Sequence, residues 1–137
     1  MDFSTPQGEA VARRLREEEV IWLTTVRSDG QPQSVPVWAI WDGESFLIYS
    51  RRDQQKLRNI RSNPKVSLHL DSDGQGGGIV RIEGTAELVE DAPPCDQVPA
   101  YVEKYAGPIE RIGFDAASFA AAYPVPIRVT PTRWVAF

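Results

Sequence analysis

The sequence predicts a mainly β (α+β) domain, a small antiparallel barrel of about six strands with short flanking helices. Three observations predict it. Runs of β-branched and aromatic residues recur at strand length, and the first of them are joined by turn chemistry, "SDGQ" and "DGE", that leaves room only for hairpins. Helical periodicity appears only in short pieces. Strands and helices do not alternate in the manner that builds a parallel doubly wound sheet.

Taken in order, "STPQGEAVARRLREEE" opens with a capping Ser4 or Thr5 and a first-turn Pro6, and Val11 and Leu15 stand one turn apart, so a short amphipathic helix is expected. Residues 20–27 and 32–42 follow as a hairpin, and residues 45–50 add a third strand to make a meander. Over 53–63 the period changes: Leu57 and Ile60 lie three apart among polar residues, and "SNP" ends a short helix before Pro64. Val66, Leu68 and Leu70 alternate with Ser67 and His69, the pattern of a half-buried strand. The glycine-rich loop 72–78 leads to a long strand, 79–90, whose Gly84 marks a bulge or a close backbone approach. Two helices, near 96–105 and 115–122, precede a terminal strand, 126–137, interrupted at Pro131.

A chain of 137 residues, 42% apolar and 25% charged, fits one ordinary globular domain. Its start lacks a signal-type apolar run and no stretch is long enough to span a bilayer, so the expected location is the cytoplasm. Cys95 stands alone and His69 is the single imidazole, which leaves no cluster at metal-ligand spacing. A net charge of −4 disfavours nucleic acid as a partner.

Against that background, residues 51–65 are anomalous. Arg51, Arg52, Lys56, Arg58, Arg61 and Lys65 face Asp53 alone, a local charge of +5 that leaves −9 on the rest. A helix starting near Asp53 aims its unpaired N–H groups at whatever precedes it, and cations beside that positive end are unfavourable unless an anion sits there. Lys56 then acts as a point charge and an arginine as a bidentate donor to a phosphate. The plain alternative is a solvated basic face. The loop 74–78 has no Walker lysine and runs between strands, so it is read as a flexible hairpin link. His69 and Cys95 show no catalytic partners. Trp22, Trp38, Trp41 and Trp134 read as core or interface aromatics. With no acid–base pair and no metal site, catalysis falls to a borrowed cofactor.

The stretch from Thr24 to Leu70 resembles the pyridoxamine 5′-phosphate oxidase-like superfamily of split β-barrel flavin and deazaflavin binders. The matching pieces are Thr24-Thr25 before "SDGQP", the Pro36 strand, Tyr49-Ser50, Lys56 at the helix start, "NIRSNPKVSL" and the glycine of "VRIEGTAELVE". The tail from Tyr101 to Phe137 is similar to the branch that uses coenzyme F420. The resemblance implies an FMN-binding split-barrel fold and a homodimer with two sites at the subunit interface. It implies a ring system along the strand around Val35, Pro36 and Val37, with Ser34 also among the cofactor-binding positions. The cofactor phosphate is expected at Ser50, Arg51 and Lys56, with Tyr49 alongside and Gln54, Gln55 and Asn59 nearby; Arg58 is a candidate for a deazaflavin's acidic tail. The oxidase pattern has an arginine where this chain has Ser34 and a substrate-phosphate lysine where it has Ala39. These departures favour the deazaflavin branch and disfavour pyridoxamine phosphate as substrate. The expected activity is hydride transfer from reduced F420 to a small unsaturated organic molecule. Alternatives are an FMN-dependent oxidase or reductase, a non-catalytic cofactor-storage protein, and, last, nucleic-acid binding through the basic strip.

Overall fold

In the computed structural model, which describes all 137 residues, seven strands form one curled antiparallel sheet, a split barrel flanked by four α-helices. Helix α1, Pro6–Glu17, starts where expected. Thr5 is the cap, its hydroxyl accepting from the Gly8 amide at 3.0 Å, and α1 lays Val11 and Leu15 on the sheet.

Strands β1, Ile21–Val26, and β2, Pro32–Val37, form the predicted hairpin. The predicted meander does not form. The run 32–42 divides at Trp38, and β3, Ala39–Trp41, pairs only with β4, Phe46–Ser50. Strand order is β2-β1-β5-β6-β7-β4-β3, with β5 Lys65–His69, β6 Val80–Leu88 and β7 Val125–Ala136. The two halves of one sequence run thus stand at opposite ends of the sheet, and the chain through Trp38 joins them. Pro32 and Pro36 cost no ladder bonds on the open side of an edge strand.

The terminal strand is not interrupted at Pro131. It runs on through a bulge, where Glu83 faces Arg133 but Gly84 faces Pro131, leaving Thr132 extra. A side chain on Gly84 would place its Cβ 2.7 Å from the Thr130 carbonyl oxygen, so the bulge and the close approach are one feature. The loop 72–78 is not a bare linker either. Asp73 Oδ1 accepts from the amides of Gln75 and Gly77, and the Arg14 guanidinium donates to the carbonyls of Asp71 and Gly78.

Two cores meet at β4. Phe46 and Ile48 face the barrel interior with Leu23, Leu68, Ile82, Ile127 and Val129. Leu47 and Tyr49 point the other way, into a second cluster with Cys95, Tyr101, Tyr105, Ile109 and Phe119. Burial on both faces is why "FLIY" does not alternate with polar residues, whereas β6, buried on one face, alternates. The second cluster is covered by a 3-10 turn, Cys95–Gln97, and helices α3, Pro99–Arg111, and α4, Ala116–Ala122. The helix expected over 96–105 therefore starts later and runs longer. No helix is long and apolar enough to cross a membrane.

Candidate functional site

Between β4 and helix α2, Gln55–Ser62, the chain turns sharply, and Asp53 carries the turn with φ of 58°, the one non-glycine residue in the left-handed region. Aspartate tolerates that conformation through local hydrogen bonding. The helix starts two residues later than the sequence suggests, and its cap, Gln54, makes no side-chain bond to the first turn. That turn also holds no acid, so the helix presents unpaired N–H groups and a partial positive charge.

Lys56 projects from this turn. Its ammonium is half-buried and takes part in no hydrogen bond or ion pair, and burial lowers its pKa. The ion pairs of the molecule, Arg14–Glu18, Arg27–Asp29 and Arg111–Glu19, all lie outside the basic strip. Arg51 stacks its guanidinium over the Tyr123 ring, 4.6 Å from the centroid. Ser50 is buried, and its hydroxyl donates to the Arg51 carbonyl at 2.8 Å.

These groups open on a cavity of about 410 Å³. The sequence-predicted Pro36, Val37, Tyr49, Ser50, Arg51, Gln54 and Lys56 all line it. Ser34, Val35, Gln55 and Asn59 do not. Ser34 shares a 2.7 Å hydrogen bond with Thr24, and Val35 lies exposed on the edge strand. Gln55 donates to Asn59, whose own amide donates to Thr25 and Gln33 at 2.9 Å each. That network braces α2 against β1 and β2 from behind the cavity.

Sequence reasoning missed the opposite wall. Trp38, expected as a core or interface residue, lines the cavity with Tyr101, Ile112, Phe119 and Tyr123. Tyr105, Trp38, Phe119 and Tyr123 form a run of nearly parallel rings, with centroid steps of 4.9, 5.3 and 4.3 Å and interplanar angles of 8°, 19° and 15°. The local signal was present: Tyr101 and Tyr105, and Phe119 and Tyr123, are aromatic pairs four apart in helical segments. Tyr49 donates to the Pro93 carbonyl at 2.6 Å, and burial pushes its phenol up to about 12. Tyr101 is 1% exposed and its hydroxyl has no partner. No carboxylate and no imidazole lines the cavity. The protein side therefore offers cations, hydroxyls and flat apolar surface, and no general base.

A family model described as pyridoxamine 5′-phosphate oxidase matches residues 8–136. Over 96% of its length the chain is 33% identical to a pyridoxine/pyridoxamine 5′-phosphate oxidase of Rhodopseudomonas palustris, covering 68% of that protein. The chain belongs to the pyridoxamine 5′-phosphate oxidase family. It is a family of flavin-binding oxidoreductases. Among solved structures, an F420 reductase superposes with a TM-score of 0.71 at 29% identity, covering 90% of this chain and 94% of that one. A conserved hypothetical protein of Mycobacterium tuberculosis (TM-score 0.76, 24% identity, 97% and 85% covered) and the heme storage protein of Vibrio cholerae (0.66, 17%, 93% of each) share the fold.

The residues present fit a flavin-type coenzyme of this family. The uncapped helix start and the unpaired Lys56 suit a phosphate, and the apolar wall at Pro36 and Val37 suits a ring system. Ala39, at the position where the resemblance implies a substrate-phosphate lysine, is buried in β3 and offers no cation.

Proposed function

We propose that this protein is an F420-dependent oxidoreductase acting on a small unsaturated organic molecule. The observation that carries the reading is Lys56: a half-buried cation without a partner, at the open end of a helix, beside Arg51 and above a cavity walled by flat rings. Ser50, Arg51, Lys56 and the first amides of α2 hold the phosphate, and Pro36 and Val37 seat the ring system. A reduced deazaflavin supplies a hydride, which suits a cavity without an acid–base pair. Trp38, Phe119 and Tyr123 orient an acceptor and keep water from it. The match to an F420 reductase over 94% of that chain supports this cofactor, as do Ser34 and Ala39 at the positions where the resemblance implies cations in the oxidase. We propose further that two copies pair through the exposed face of β2, where Val35 is 37% exposed, so that each cavity is completed by its partner.

The alternative use of FMN is favoured by the oxidases among the sequence relatives. Titration of the purified protein with F420 and with FMN, followed by turnover against a panel of enones and quinones, separates the readings. Saturable F420 binding with hydride transfer is expected. Submicromolar FMN binding with no response to F420 moves the assignment to a flavin enzyme, and tight binding without turnover moves it to cofactor storage.

A further inference from the structure

Three tyrosines pack together under the cavity, Tyr49 against Tyr101 at 5.2 Å and Tyr101 against Tyr105 at 4.9 Å between centroids. Two have committed hydroxyls. Tyr49 donates to Pro93, while Tyr105 donates to the Glu19 carbonyl at 2.7 Å and accepts from the Ala39 amide at 2.8 Å. The third, Tyr101, is the one buried side-chain polar group left without a partner. Burying an unpaired hydroxyl is costly, and a phenylalanine would fill the same space without that cost. Tyr101 also forms part of the cavity wall, beside Phe119 at 6.4 Å.

We propose that the Tyr101 hydroxyl is the hydrogen-bond donor this cavity keeps for a conjugated carbonyl oxygen of its bound ligand. Burial holds its phenol far above the ordinary range, so it stays protonated and keeps its O–H available to donate. The oxygen is buried without a partner within the fold, and a ligand in the cavity reaches it after side-chain shifts of the kind usual on binding. A bond from a neutral phenol strengthens as negative charge gathers on a carbonyl oxygen during reduction, which makes Tyr101 a positioning and polarising group that keeps its proton. The inference rests on the redox reading above in expecting a conjugated carbonyl. Two sources carry that chemistry, the ring of a flavin-type cofactor and the acceptor.

Calorimetric titration of wild type and Tyr101→Phe with FMN, F420, menadione and 2-methylnaphthalene tests it, because the last ligand has the rings of menadione without the carbonyls. Tyr101→Phe is expected to bind carbonyl ligands about five- to tenfold more weakly, to bind 2-methylnaphthalene unchanged, and to melt, ligand-free, no lower than wild type. A loss confined to FMN and F420 assigns the acceptor atom to the cofactor, and a loss confined to menadione assigns it to the substrate. If wild type binds neither cofactor but the variant still loses menadione selectively, the proposed function fails and this inference stands. Equal binding by both proteins, no carbonyl ligand bound by wild type, or a melting point several degrees lower in the variant overturns it, the last by showing a partner within the fold.

Discussion

The Arg51 guanidinium lies over the Tyr123 ring, 4.6 Å from its centroid, and so ties the cationic corner at the end of β4 to the far end of α4. Tyr123 in turn stacks on Phe119 at 4.3 Å, and Phe119 on Trp38 at 5.3 Å. An exposed arginine with no carboxylate partner is thereby held at the mouth of the cavity by a flat surface, which leaves its N–H fork free for a phosphate.

Removing that surface should loosen the arginine without unfolding the protein. Tyr123→Leu is expected to weaken F420 or FMN binding about three- to tenfold, the effect of losing a partly exposed cation–π contact. Tyr123→Phe, which keeps the ring, should bind as wild type does. Fluorescence titration of the three proteins measures both, and equal weakening in the Phe variant would show that the hydroxyl matters and the stacking does not.

Lys56→Ala should weaken cofactor binding by one to two orders of magnitude, because a charge-assisted contact contributes roughly 1.5–3 kcal/mol. Stability should hold or rise, since the ammonium is half-buried with nothing to pair with. Lys65→Ala, at the other end of the basic strip, serves as the control and should bind normally. A dissociation constant untouched by Lys56→Ala removes this residue from the phosphate site.

How much of this was legible depended on the range of the interaction. The cation cluster, the β1–β2 hairpin and the cap before Pro6 are local, and each could be read from neighbouring residues. The division of 32–42 at Trp38 could not, because it is decided by which distant strands accept each half: β1 takes Pro32–Val37 and β4 takes Ala39–Trp41. The continuation of β7 past Pro131 was hidden for the same reason, since the bulge opposite Gly84 exists only in the pairing. Trp38 looked like core because its cavity role depends on α3 and α4 arriving from more than sixty positions away. Asn59 and Gln55 looked available for a ligand because nothing in the sequence shows that they bond to each other, to Thr25 and to Gln33.

Gly84→Ala should destabilise the barrel by about 1–3 kcal/mol, the usual cost of forcing extra atoms into a packed site. The new methyl meets the Thr130 backbone oxygen at 2.7 Å and Val129 Cγ1 at 3.1 Å, and backbone paired on both sides gives way less readily than a flexible side chain. A urea midpoint lowered in proportion, with cofactor affinity unchanged, is the expected result. An unchanged midpoint would mean that β7 can move away from the bulge.

Stability should depend on alkaline pH in two opposed windows. Lys104 donates to the carbonyls of Leu15 and Ala39, tying α3 to α1 and β3, and burial pushes its ammonium down to about 8 from 10.5. Between those values the unfolded chain binds the proton more tightly than the folded one, so stability rises with pH there. The buried phenols act the other way. Tyr49 is pushed up to about 12, and Tyr101 and Tyr105 are also raised, all chiefly by burial. Each favours the fold fully below the unfolded value near 10, and that contribution is lost as pH climbs toward the folded values. Urea midpoints from pH 7 to 12 should therefore rise gently from about 8, then turn down above about 10. Lys104→Met should reduce the rise, leaving the smaller part that the half-buried Lys56 contributes, and Tyr101→Phe should soften the fall. A profile flat to pH 12 in the wild type would mean that these phenols ionise in the folded protein as readily as in water, contrary to their burial.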